Sequence, residues 1–314
     1  MLGYIVRRIV SLMGVLLIVS MIVFSLTYLV PGNPVTNMLG VRATPENVEE
    51  LMHRMGLDKP FYIRYGSWLG KVITLDLGTS YTYGQPVGAL IASRFPLTLT
   101  LALYALVIAM AVGIPLGIIA GVKHGSYVDA LCTGVTALGL SIPSFWLALN
   151  LISLFAVRLR WLPSGGFVSL TENPLLHIRS MLLPAASLGL IQATRIARMT
   201  RSTVLETILE DYVQTARSKG LRERVVILKH AMKNALLPVI TLIGVIVGVL
   251  LGGAVVIELV FTLPGLGRMS VTAVQGRDYM LLQGITLCVA GCYALANLLV
   301  DLCYVAIDPR IKYT

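Results

Sequence analysis

Charged side chains are scarce. Asp, Glu, Lys and Arg make up only 13% of the 314 residues, against roughly 25% in a soluble domain. Hydrophobic residues make up 56%. So apolar a chain cannot cover itself with polar surface, which excludes an ordinary cytosolic enzyme. It also excludes disorder, which requires low hydrophobicity. Groups that carry chemistry are equally sparse. There is no G-x-x-x-x-G-K-[ST] phosphate loop, no H-E-x-x-H and no G-x-S-x-G elbow, so no nucleotide site, zinc-protease site or acyl-transfer nucleophile is recognisable. His53, His124, His177 and His230 are scattered without ligand spacing. Cys132, Cys288, Cys292 and Cys303 sit in apolar runs and read as small hydrophobes. The residues thus give no support for catalysis, a metal or a cofactor in this chain. They point to a polytopic α-helical membrane protein. Transport is the default role, driven by an ion gradient or by another subunit.

What is present is a series of runs long enough to cross about 30 Å of hydrocarbon, which takes about 20 apolar residues. Ile9–Val30, Leu97–Val122, Ala130–Val157, Ala235–Ile257 and Tyr279–Val300 qualify. A sixth candidate, Met181–Met199, is weaker, because Arg195 and Arg198 enter it. The charge distribution favours counting it. With six spans and an inner N-terminus, fourteen basic residues fall inside and five in the short outer loops; without the sixth span the bias reverses. Positive-inside asymmetry therefore predicts six spans with both ends cytoplasmic. The net charge of +10 belongs to those inner loops and does not require nucleic acid as a partner. Arg7 and Arg8 precede a run too long for a signal-peptide core, and no small-residue cleavage site follows Val30-Pro31-Gly32. The run reads as a retained first helix.

The organisation expected is a first segment (residues 1–30), an outer loop (31–94) and a helical membrane domain (95–314). In the outer loop, Thr44-Pro45-Glu46 predicts a helix start and Gly56 its stop. Tyr62, Tyr65 and Trp68 share one face of a second helix. They could lie at the headgroup level or pack within the loop.

The membrane domain contains an inner segment, residues 200–237, with one glycine, Gly220. A helix over 210–219 ends with Arg217 and Lys219, cations suited to the negative end of the helix dipole, and Gly220 suits a left-handed stop. A second helix follows, with Leu221, Val225, Leu228 and Met232 expected on one side. Its length and punctuation favour a docking element over a loop held to the membrane by anionic lipid. Within the spans, Gly113, Gly117 and Gly121 recur every four residues, as do Gly244, Gly248 and Gly252. Such faces let helix backbones approach closely. Pro115 and Pro143 predict kinks. The acids Glu258 and Asp301 lie near span ends, where structural pairing with Arg268 and Arg310 is favoured over a proton relay.

The stretch EDYVQTARSKGLRERVVILKHAMKNALLP resembles the cytoplasmic loop of bacterial ABC importer permeases, in the version found in the dipeptide, oligopeptide and nickel branch. RRIVSLMGVLLIVSMIVFSLTYLVPGNP, GLDKPFYIRYGSWLGKVITLDLGTS, FTLPGLGR with GRDYMLLQG, and NLLVDLCYVAIDPRIK are similar to other parts of that branch, in order along almost the whole chain. The general loop reads E-A-A-x-x-x-G followed by I-x-L-P. Here Gln214, Thr215, Ala216 and Gly220 occupy the first part, and Leu237-Pro238 comes later than in sugar importers.

The resemblance implies a type I ABC importer permease with six helices in the bacterial inner membrane. It implies two paired permease subunits, two cytoplasmic ATPase subunits that hold the ATP and Mg, and an extracytoplasmic solute-binding protein. The docking surface it implies is Gln214, Thr215, Ala216, Gly220 and Leu221, with Arg217 and Lys219 in support. The implied cargo is a di- or oligopeptide, with nickel, a metallophore, glutathione or an opine as alternatives. An ion-coupled secondary transporter is the reading from a different class; it would favour inverted repeats and ionisable groups at mid-depth, and the sequence shows neither.

Overall fold

The computed structural model describes residues 2–29, 44–54 and 58–307. The helix stop expected at Gly56, the Val30-Pro31-Gly32 exit and the charges Arg310 and Lys312 expected on the inner side lie outside these residues. Among the described residues the regular structure is helical, with an isolated bridge between Thr79 and Pro86. The chain divides into two units.

The first unit comprises Met1–Pro96 and Gly265–Leu295. Helix α1 (Leu2–Leu29) exposes Val10, Met13, Leu17, Ile18, Met21 and Ile22, an apolar surface suited to hydrocarbon. Thr44 opens α2 (Pro45–Arg54), its hydroxyl accepting from the Asn47 amide at 3.3 Å. In α3 (Phe61–Ile73) the aromatic face packs on α1. Phe24 lies with its ring centroid 5.5 Å from Phe61 and from Tyr65 and 5.2 Å from Trp68, and the Tyr65 hydroxyl sits 2.8 Å from that of Ser20. Tyr62 remains 72% exposed, so intramolecular packing claims two of the three expected aromatics. The unit's core joins Val87, Leu90 and Ile91 of α4 (Val87–Val122) to Leu266, Met269 and Ala273 of α12 (Leu266–Gln275) and Leu281 and Ile285 of α13 (Tyr279–Ile307).

The second unit holds Leu97–Pro264 and Ala296–Lys312. Its axis is α7 (Pro174–Ile208), on which α5 (Tyr127–Ser141), α6 (Ser144–Leu151) and α11 (Leu237–Val260) pack. The weakest expected span lies wholly inside α7, which continues past Arg195 and Arg198 to Ile208. The kink expected at Pro143 is a full break, with α5 and the following helix bent by 103°. Proline lacks the amide to continue a helix and holds Ile142 extended (φ −87°, ψ 124°). At Pro115, by contrast, α4 runs on with no break in the helix.

Four helices among the described residues (Val87–Val122, Pro174–Ile208, Leu237–Val260 and Tyr279–Leu302) are each long and apolar enough to cross a membrane, and the bent pair makes a fifth when taken as one span. α1 contributes a shorter apolar stretch, Val10–Ser25.

Candidate functional site

The segment expected on the inner side folds as a helix–turn–helix. α8 (Asp211–Ser218) begins at Glu210 and has Asp211 in its first turn and Arg217 in its last, charges that match the helix dipole at both ends. Gly220 follows at φ +76°, the left-handed conformation expected of a helix stop, and its amide donates to the Arg217 carbonyl at 2.9 Å. The turn is bridged by Arg217, whose Nη2 and Nε donate to the Glu223 carboxylate at 2.6 and 3.2 Å. This guanidinium holds the Glu223 carboxyl below its usual range. The Glu223 side chain is 53% exposed, so the pair contributes only about 0.2–1 kcal/mol. Its two-pronged geometry favours one angle of the turn.

Beyond the turn, α9 (Glu223–Val225), a π-helical turn (Val226–Ala231) and α10 (Met232–Ala235) form one continuous helical segment. The π-turn corrects the face expected from sequence. Of Leu221, Val225, Leu228 and Met232, only Met232 is buried; the inward residues are Val226, Ile227, Ala231, Met232 and Ala235. A π-turn takes more residues per revolution than an α-helix, so a 3.6-residue pattern drifts off the true face. Val226 and Ala231 close on Val213 and Ala216 of α8, while Ile227, Met232 and Ala235 pack against Val204 of α7. Two polar ties complete the fastening: Gln214 Nε2 donates to the Ile208 carbonyl at 3.0 Å, and Asn234 Nδ2 to the Tyr212 hydroxyl at 2.9 Å.

The residues expected on the docking surface therefore separate. Gln214, Thr215, Lys219, Gly220 and Leu221 are exposed, and Arg217 is half-buried in its bridge. Ala216, expected on the same surface, is 5% exposed and faces the segment's own core. It sits three residues after Val213, on the same side of α8.

The glycines separate too. Gly113, Gly117 and Gly121 face α7 at backbone distance: a β-carbon on Gly117 would stand 2.5 Å from Thr200 Cβ and 2.6 Å from the Ala197 carbonyl oxygen. A β-carbon on Gly244 would stand 2.7 Å from Val300 Cγ2 of α13. Gly248 is half-buried, and Gly252 is exposed with open space around it. Glu258 is fully buried and accepts a hydrogen bond from the Thr98 hydroxyl at 2.6 Å. Asp301 is half-buried towards the end of α13.

Two further acids carry more contacts than sequence reasoning gave them. Asp278, fully buried, accepts from the Ser80 hydroxyl at 2.5 Å, the Thr82 amide at 3.0 Å and the Leu281 amide at 3.1 Å. It thereby caps α13 and holds the turn between Thr79 and Pro86. Burial together with its negative charge pushes the neighbouring Tyr81 hydroxyl up to about 12. Asp129, in the first turn of α5, binds Arg201 of α7. The local signals were an acid directly before an apolar helix and a Ser126-x-x-Asp129 capping pattern.

A helical membrane chain with an exposed, internally braced helix–turn–helix at the end of a long span has the architecture of a transporter's membrane subunit. A chain of the MetNI methionine ABC transporter, solved in inward-facing conformations, is similar to it with a TM-score of 0.58 at 18% identity, over 70% of this chain and 96% of that one. The fold is that of type I ABC importer permeases. Residues 113–313 match the binding-protein-dependent transport system inner membrane component family, and residues 1–102 match that system's N-terminal membrane component. The chain belongs to this family and is a multi-pass inner-membrane protein. A Brucella abortus chain named as a peptide transport system permease protein is 43% identical over 313 residues, covering all of both chains. The dipeptide transport system permease protein of Alkalihalophilus pseudofirmus is 39% identical over 333 aligned positions, again covering all of both.

Proposed function

We propose that this chain is the permease half of an ATP-driven importer of di- and oligopeptides. It pairs with a second, homologous permease. Two cytoplasmic ATPase subunits, which carry all the ATP and Mg, grip the segment 211–235, and a solute-binding protein delivers cargo from outside. Both termini are cytoplasmic. The observation that carries the coupling is the two-sided build of that segment: Val213 and Ala216 point into its own core, whereas Gln214, Thr215, Lys219 and Leu221 point out. A lever must be rigid within and offer contact groups without, and a packed inner face beneath exposed residues supports that reading. ATP closes the ATPase dimer and hydrolysis reopens it. The two docking segments are drawn together and released, and the paired permeases alternate between outward and inward access. The likeness to peptide and dipeptide permeases over the whole chain supports a peptide cargo.

In cells stripped of other peptide importers and expressing the assembled transporter, labelled dipeptide uptake is expected to be competed by unlabelled di- and oligopeptides and unaffected by nickel salts. Uptake of nickel that peptides do not compete, with no dipeptide uptake, overturns the choice of cargo.

A further inference from the structure

Asp129 lies at the start of α5 with 5% exposure, and its carboxylate binds two other elements. Arg201 of α7 donates through Nε to one oxygen at 2.6 Å and through Nη2 to the other at 2.9 Å. In the turn between α4 and α5, the Gly125 amide donates at 3.1 Å and His124 Nδ1 lies 3.0 Å away. The Arg201 Nη2 also lies 3.3 Å from that His124 nitrogen. Thr133 of α5 donates at 3.4 Å. The backbone of Arg201 also packs closely on α4, its carbonyl oxygen lying 3.2 Å from the place a β-carbon on Gly121 would occupy. One residue, seven positions before the end of α7 and ten before α8, thus touches α4 through its main chain and α5 through its side chain.

The glycine contacts alone would not fix this arrangement. Close packing is non-directional and lets one helix slide or rotate on another. A guanidinium fork on a carboxylate is satisfied in one register and one orientation. We propose that Asp129 and Arg201 are positioning residues of the transport cycle. Their ion pair fastens the α4–α5 turn to the inner end of α7, so that movement of the docking segment 211–235 reaches α4 and α5 together with α7. The proposal rests on the reading of 211–235 as the docking segment. What it adds is the path by which the pull leaves that segment.

The test uses two spin labels, at Tyr127→Cys in the first turn of α5 (95% exposed) and Leu209→Cys after α7 (75% exposed), in a chain whose four native cysteines are replaced by alanine. In the assembled transporter the distance between them is expected to stay the same with and without ATP. With Asp129→Asn added, the distribution is expected to broaden and become nucleotide-dependent, and uptake per ATP hydrolysed to fall about tenfold or more. Arg201→Lys keeps the charge and loses the fork, and is expected to show the same broadening in milder form. A label distance that changes with ATP in the otherwise unaltered chain overturns the proposal, and this arm holds even if Asp129→Asn does not insert. So does Asp129→Asn with an unaltered distance and normal uptake. If the unaltered transporter shows no ATP-dependent uptake, the importer reading fails. The tie is then tested by the same Asp129→Asn comparison on the permease alone.

Discussion

Gly220→Val is expected to abolish peptide uptake while leaving the chain inserted and the partner ATPase turning over. Gly220 holds φ +76°, and a β-carbon there would meet nothing within 4 Å. The penalty is therefore one of backbone alone, about 1–2 kcal/mol for an L-residue in the left-handed region. A β-branched side chain tolerates that region worst. Strain of this size does not unfold a membrane protein, but it need not. Relaxing φ at Gly220 re-aims the segment 223–235 relative to α8 and pulls the Arg217 fork off Glu223. The exposed face of Gln214, Thr215, Lys219 and Leu221 is then presented at the wrong angle to its socket. Asn adopts the left-handed conformation more readily than other non-glycine residues, so Gly220→Asn is expected to retain most of the uptake. Uptake and ATP hydrolysis measured on the same reconstituted preparation separate the two variants. Equal transport by Gly220→Val and wild type at equal expression would show that this turn does not set the lever.

Gly117→Leu is expected to act by a different route and to destabilise the fold itself. The α4–α7 contact is made backbone to backbone, and a β-carbon at Gly117 would lie 2.6 Å from the Ala197 carbonyl oxygen and 2.5 Å from Thr200 Cβ. Neither neighbour is the far end of a flexible side chain, so the helices themselves must separate. Overpacking of this kind costs about 1–3 kcal/mol for a few methylenes, and more where backbone has to move. Separation would also loosen Gly113 and Gly121, which face the same helix one turn away on either side. The expected outcome is a lowered melting temperature in detergent and a smaller monodisperse fraction. Gly252→Ala is the matched control. Its β-carbon meets open space, and replacing a mid-helix glycine by alanine stabilises by about 0.5–1 kcal/mol. If Gly117→Leu melts like Gly252→Ala, the two helices are not in the contact described.

The parts of this protein legible in its sequence are those governed by local pattern. The helix start at Thr44-Pro45 and the left-handed stop at Gly220 each depend on a few adjacent residues. The span inside α7 is weak by hydropathy and is favoured by counting charges on either side. The inward face of the segment after Gly220 is not legible, because a π-turn changes the period on which the pattern rests. Ala216 enters the expected docking surface through the family resemblance, which does not tell which way a short helix rolls. Asp129 with Arg201, and Asp278 with Ser80, join residues 72 and 198 positions apart. Nothing periodic connects such pairs, so an isolated acid at a helix start reads only as a cap.

The most direct test of the central claim, that a separate motor drives this membrane half, is substrate uptake by the assembled transporter under fixed ion gradients. It is measured with the partner ATPase intact and with the ATPase made catalytically dead. The account predicts uptake with the intact motor and none with the dead one. Uptake that continues at the full rate with the dead motor, or by the purified chain alone, would contradict it.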